Sequence, residues 1–320
     1  MPLALIQDVA GDPPQNLAVP SWAWIVLGVV MISMITIDLV AHRGDRVGTR
    51  RGALIWSAIW IGAAMMFNLL VALWFGNEPA QQFLGAYLLE KSLSVDNLFL
   101  FLVIFGALGI PPTEQRRVLT WGILGALITR LLFIVAGAAM LERWHFVSYL
   151  FGGLLVVTAI KLLLPPEAEP KRRLLCWLER HMRWTRELHG HRFFIRLRGR
   201  LVATPLLLAL IAIELTDIVF AVDSVPAAFA VTTEPFIVYS SNVFAILGLR
   251  ALYNVLAHTL TTIQYLRFGL AAVLVFAGAK LLLAKWISVP PLIAVAIIIT
   301  CIAAAAIASV VARQRRLARQ

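Results

Sequence analysis

Charge is scarce in this chain: 14% of its 320 residues are Asp, Glu, Lys or Arg, and the acids number 17. Cysteine is scarcer, with Cys176 and Cys301 alone and no Cys-x-x-Cys pair. That excludes a disulfide framework and a thiolate metal site. No Gly-x4-Gly-Lys-Ser/Thr segment occurs, so an ATPase built on a phosphate loop is excluded as well. Strict apolar–polar alternation is missing too, which argues against a transmembrane β-barrel. What remains is apolar: 61% of the residues are hydrophobic, more than a soluble domain of this length needs.

The apolar residues gather into nine runs, at roughly 21–41, 53–75, 83–109, 118–140, 146–164, 202–230, 238–257, 266–286 and 291–312. Runs of about 17–25 residues cross a bilayer as helices. The expected fold is all-α, a polytopic helical membrane protein forming one transmembrane domain over 1–320. The net charge of +11 sits in alternate loops: Arg43, Arg46, Arg50 and Arg51 follow the first run, and Arg116 and Arg117 the third. Ten Lys or Arg residues crowd 171–200, and Arg313, Arg315, Arg316 and Arg319 follow the last run. This placement predicts the N-terminus outside and the C-terminus in the cytoplasm, and it makes nucleic acid an unneeded partner. Span one lacks a basic n-region and a small-residue cleavage site, so it reads as a retained helix.

Two acidic motifs lie inside these runs. One is Glu90-Lys-Ser-Leu-Ser-Val-Asp96-Asn97; the other is Asp217-Ile-Val-Phe-Ala-Val-Asp223-Ser224. A carboxylate at membrane depth costs roughly 2.5–3.5 kcal/mol on insertion scales, so such groups face a bundle interior and mark ion or proton pathways. The next spans match as well. Gly122–Phe133 holds Arg130 where Phe244–Tyr253 holds Arg250, and Lys161-Leu-Leu-Leu answers Lys280-Leu-Leu-Leu. Spans 3–5 (83–164) and 6–8 (202–286) therefore read as one three-helix unit written twice, joined by a basic linker at 165–201. An odd number of spans per unit inverts the second copy, the construction of many secondary transporters. In the linker, Leu174, Trp177, Leu178, Met182, Trp184 and Leu188 among cations predict an amphipathic stretch on the inner surface.

Carboxylate, amide and hydroxyl oxygens suit Mg²⁺, Ca²⁺ and Mn²⁺ rather than copper or zinc. The candidate metal ligands are Glu90, Asp96, Asn97, Asp217, Asp223 and Ser224, with Asp38, Glu214 and Asn242 as further candidates along an ion pathway. Positions seven apart share a helix face, whereas positions six apart lie ~120° round it. Glu90 and Asn97 thus share a face, as do Asp217 and Ser224. Asp96 and Asp223 must converge from two helices, or a break near Pro226 must redirect one. The plainer role for some of these acids is to neutralise Arg130 and Arg250, their expected charge partners. Asp38 has His42 one turn away as a partner. Lys161 and Lys280 read as snorkelling cations. Ser92 and Ser94 serve equally as ligands or packing hydroxyls.

Glu90–Asn97, Val118-Leu-Thr-Trp-Gly-Ile-Leu-Gly-Ala126, Glu214–Pro226 and Pro235–Ala251 together resemble the TerC/Alx family, over nearly the whole stretch from Trp22 to Lys280. The resemblance implies a bacterial inner-membrane protein linked to manganese export and metal homeostasis, historically named for tellurium resistance. It also implies kinship with exporters built from inverted three-helix repeats. Departures are modest. Val47–Ala53 lacks an expected acid, and Arg116-Arg117 stands where a His-Arg pair is common.

The expected function is export of a divalent cation, Mn²⁺ first, against inward protons, through a carboxylate site shared by the two repeats. The chain is not expected to be an enzyme or to hold a permanent cofactor. Its expected partners are the bilayer, the cation and protons, with a second copy or another membrane protein left open. The alternative is a membrane scaffold that delivers metal to exported proteins without transport of its own.

Overall fold

The computed structural model describes residues 19–41, 50–164, 177–181, 183–185, 187–197, 199–257, 266–287 and 289–317. Ten helices carry the fold: α1 (Ser21–Ala41), α2 (Arg50–Phe75), α3 (Asn77–Ala107), α4 (Pro112–Arg143), α5 (Phe146–Leu163), α6 (Pro205–Val231), α7 (Pro235–Leu247), α8 (Leu249–Ala257), α9 (Leu266–Leu282) and α10 (Pro291–Leu317). Helix is what long apolar runs form in lipid, because every backbone N–H and C=O is then satisfied within the segment. Among the described residues, seven stretches are long and apolar enough to cross a membrane: Ser21–Val40, Arg51–Phe75, Pro112–Arg143, Phe146–Leu163, Pro205–Val231, Pro235–Tyr253 and Pro291–Ser309. Each expected run overlaps helix, and seven of the nine belong to that set; α3 and α9 do not. α3 carries Glu90, Lys91 and Asp96 close together, and α9 has 17 residues.

Turn chemistry sets the boundaries around α3. Gly76 (φ 94°) separates it from α2, and Gly109 (φ 62°) ends it; both backbones are left-handed, where a Cβ is strained. Pro111 and Pro112 then open α4, where the missing N–H costs nothing.

The bundle is cross-paired. α3 packs on α7, α4 on α6, α5 on α9, and α3 also meets α6. The two acidic helices thus each lie against the arginine helix of the other unit, and the two lysine helices lie against each other. α1 covers α7, α2 covers α3 and α8, and α10 covers α3 and α9. The α5–α9 contact depends on small residues. A Cβ built on Gly278 would stand 2.9 Å from the carbonyl oxygen of Gly152, leaving no room for a side chain.

Three features differ from the sequence expectation. First, the run at 238–257 is interrupted at Gly248, dividing it into α7 and α8. The Lys91 ammonium reaches this point and donates to the Ala245 carbonyl at 3.1 Å, so the freed acceptor is satisfied. Second, α6 runs unbroken through Pro226. The proline removes one backbone hydrogen bond, yet packing on α3, α4, α5 and α9 holds the helix. Third, the linker is not wholly helical. Residues 177–181 form a short helical turn, and β1 (Phe194–Leu197) then pairs antiparallel with β2 (Arg200–Ala203). Gly199 (φ 77°) makes that tight connection. Ala203 packs with Leu207 and Leu208 against Leu108 and Trp184. Glu114 accepts from the His191 ring at 2.9 Å, and Arg117 lies over Phe193, so the hairpin is fastened to the start of α4. Of the linker reading, Lys171, Arg172, Arg173, Leu174, Met182, Arg186 and Arg198 lie outside the described residues, as does the expected partner His42.

Candidate functional site

Apolar helices fix the site's polar groups because each projects only a few of them inward. α4 is continuous through Arg130, a side chain 1% exposed and among the largest fully enclosed ones. Its guanidinium gathers groups from three other helices. Glu90 of α3 forms an ion pair with Nη1. Asp217 of α6 accepts from Nη2 at 3.2 Å, Ser224 of α6 from Nη1 at 3.1 Å, and Asn242 of α7 from Nη1 at 3.2 Å. Glu90 is 1% exposed and Asp217 5%, so both acids are buried. The seven-residue spacing of Asp217 and Ser224 puts both on the face of α6 that meets Arg130, as helix geometry requires.

The charge count is uneven. Two carboxylates share one guanidinium, which leaves a formal charge of −1 in a buried place when both acids are ionised. Glu90 Oε2 and Asp217 Oδ2 are both buried without a hydrogen-bond partner. Unmatched buried charge is expensive and calls for a cation or a proton. Glu214, one turn before Asp217, is half-buried, and its carboxylate fills the place where a Cβ of Gly125 on α4 would stand.

Asp223, six residues after Asp217, points away from the cluster. The Thr158 hydroxyl of α5 donates to it at 2.8 Å. It lines an open groove of about 550 Å³ with Asn97, Ser224, Thr158 and Lys161, walled by apolar side chains such as Leu154, Val157 and Leu270. Ser224 belongs to both places, bonded to Arg130 and bordering the groove. Asp96 has its backbone within α3, but its side chain lies outside what is described. Among the described residues no three acidic, histidine or cysteine side chains converge on a metal-sized point. The structure therefore brings together Glu90, Asp217, Ser224 and Asn242, and sets Asp223 and Asn97 beside them in the groove.

The second arginine is placed differently. Arg250, on α8, donates through Nη1 to Asp38 Oδ2 of α1 at 2.7 Å, and both are buried. The acid that pairs with Arg250 thus comes from outside both three-helix units, not from within them. Lys280 donates to the carbonyl of Val231, the last residue of α6, at 3.4 Å, so it caps a helix end. The Ser92 hydroxyl donates to the Leu88 carbonyl of its own helix. Two contributors escaped sequence reasoning. Thr158 is a single hydroxyl with only apolar neighbours in its run and gives no pattern. Lys91 stands inside the first motif, but only the fold reveals its distant carbonyl partner.

A bundle of apolar helices enclosing charged groups defines a multi-pass integral membrane protein. The family model described as the integral membrane protein TerC family matches residues 75–317, and the chain belongs to that family. Among relatives, an uncharacterised membrane protein, STKORF319, of Myxococcus xanthus is 47% identical over 294 residues, covering 91% of this chain and 92% of its own. A protein of Escherichia coli K12 provisionally named membrane-bound redox modulator Alx is 41% identical over 282 residues, covering 83% and 87%. An uncharacterised membrane protein, MT2795, of Mycobacterium tuberculosis is 40% identical over 268 residues, covering 81% and 68%. No solved structure matches the chain.

Proposed function

We propose that the protein exports a divalent cation, Mn²⁺ foremost, across the bacterial inner membrane in exchange for protons. One observation carries this reading: Glu90 and Asp217, from two different helices, meet at a single buried guanidinium with one negative charge in excess. A proton cancels that excess and a divalent cation more than offsets it, so the site holds one or the other, and competition between the two is the elementary step of an antiporter. The cross-paired helices fit two inverted three-helix units with the shared site between them. Oxygen donors line the groove beside it, Asp223, Asn97 and Ser224, and hard cations prefer such donors. In this scheme the ion enters the groove, displaces water at Asp223, and passes Ser224 to share the carboxylates with Arg130. Protonation of Glu90 or Asp217 removes the excess charge and releases it. The positive-inside pattern orients the chain with the C-terminus cytoplasmic, and the inward proton gradient gives the direction of transport.

The test is flux into proteoliposomes that contain this protein alone, under an imposed pH gradient, with Mn²⁺, Mg²⁺ and Ca²⁺ compared. Wild type should move Mn²⁺, and Glu90→Gln or Asp217→Asn should abolish the movement. Absence of flux for every cation in well-folded wild type would reject transport and leave the metal-delivery scaffold.

A further inference from the structure

We infer that Arg130 and Arg250 are alternative occupants of one carboxylate pair, and that Asp38 of α1 is the positioning residue that keeps Arg250 away from it. The inference rests on the reading of Glu90 and Asp217 as the site of cation and proton exchange, which it deepens. It starts from an inconsistency between sequence and structure. Arg130 and Arg250 stand in the second helices of the two units, where Arg130-Leu-Leu-Phe133 answers Arg250-Ala-Leu-Tyr253. The helices around them are cross-paired, α3 with α7 and α4 with α6. Their partners nevertheless differ completely. Arg130 holds Glu90, Asp217 and Ser224, while Arg250 holds Asp38.

Exchanging the two units shows what Arg250 would bind in the opposite arrangement. Glu90 becomes Asp217, Asp217 becomes Glu90, and Ser224 becomes Asn97. The two carboxylates map onto each other, so both arginines are matched to the same pair, and only the third partner changes. A pair of acids facing both guanidinia would be electrically balanced and would leave a cation nothing to bind. With Arg250 parked on Asp38, the pair is one positive charge short, which is the condition for taking up an ion or a proton. Asp38 lies outside both units, so the repeat itself gives no reason for it.

The backbone is uneven at the same place. α4 runs without interruption through Arg130, whereas Gly248 interrupts the second unit two residues before Arg250 and leaves that arginine on the short α8. Lys91, the neighbour of Glu90, binds the Ala245 carbonyl at this interruption, so the acidic helix and the joint before Arg250 are in direct contact. In alternating access, the opposite state is reached when the repeats trade conformations around a fixed site. Here that trade moves Arg250 onto the carboxylates, expels the bound cation, and releases Arg130.

The experiment is a double-mutant cycle between Asp38 and Asp217, read as thermal unfolding midpoint of the full chain in nanodiscs in metal-free buffer. Asp38→Asn should lower the midpoint only slightly in the wild-type background, because Arg250 gains the carboxylate pair. In the Asp217→Asn background that refuge is gone, so the same change should lower the midpoint several-fold more. Equal drops in both backgrounds, or an Asp38→Asn protein that does not fold, would overturn the exchange, since independent sites add. Asp38→Glu keeps the parking partner and should match wild type. A second arm measures equilibrium binding of Mn²⁺ to the same nanodiscs. Asp38→Asn should weaken it about 100-fold, the scale of one extra cation beside a divalent ion in a partly screened interior. Adding Arg250→Gln should restore it, and failure of that rescue argues against competition. If wild type binds no Mn²⁺, the transport reading fails, while the metal-free cycle still decides the exchange.

Discussion

Replacing Arg130 by Gln removes one guanidinium from Glu90, Asp217, Ser224 and Asn242 at once. Two carboxylates then face each other inside the bundle with no nearby cation from α4. Removing one partner of a buried pair costs about 3–5 kcal/mol, because the remaining charge stays buried. The hydroxyl and amide each lose a bond to a charged donor, a smaller loss of roughly 1.5–3 kcal/mol apiece that water entering the space partly offsets. Set against a typical total of about 5–15 kcal/mol, the change consumes a third or more of the stability. Should Arg250 cross over to help, Asp38 loses that partner, so the loss moves without vanishing. Arg130→Lys should be intermediate, since an ammonium is a point charge and cannot fork between carboxylates on two helices. The assay is thermal unfolding in nanodiscs, with a drop on the order of 5 °C for Arg130→Gln. Adding Glu90→Gln should recover part of it by removing one of the stranded charges. If Arg130→Gln melts with wild type, or the double variant is worse than the single, the cluster is not held together by charge.

Three further substitutions probe the supports of the site. Gly278→Val should destabilise the α5–α9 contact by about 1–3 kcal/mol, because its side chain meets the Gly152 backbone, which cannot yield; unfolding midpoints check it. Gly125→Ala should cost little, because the group in its way is the flexible end of Glu214. Flux measured beside stability then shows whether the displaced Glu214 lies on the proposed ion path. Lys91→Met leaves the Ala245 carbonyl unsatisfied at Gly248, a loss of about 1–3 kcal/mol; hydrogen exchange at α8 should rise in the variant and stay low in Lys91→Arg.

Helix positions were legible in the sequence because lipid leaves a long apolar run one way to satisfy its backbone. The faces of α6 were legible for a similar reason, since seven-residue spacing alone puts Asp217 and Ser224 together and turns Asp223 aside. The one-residue interruption at Gly248 was not legible, because the ammonium that satisfies its carbonyl stands 154 positions away in the chain. The hairpin at 194–203 was hidden by its neighbours. A segment dense in Arg and Trp reads as a surface helix until a left-handed Gly199 turns it back on itself. Arg250 with Asp38 was missed because the repeat pointed inward, to acids of the two units, while the observed acid lies in a helix the repeat does not include.

The partners of Arg130 also set an order for assembly during synthesis. Glu90 precedes Arg130 by 40 residues, whereas Asp217 follows it by 87. At about 5–20 residues per second, the ribosome delivers Asp217 some 4–17 s after Arg130. For that interval Glu90 is the one acid of the cluster already made, and the Arg130–Glu90 ion pair is the link between α3 and α4, whose packing partners, α6 and α7, are still to come. Asp217 then arrives as a surplus acid that an existing guanidinium receives, and its docking draws the second unit onto the first. The two acids proposed to hold the cargo would thus have served earlier as the seam along which the two halves were joined.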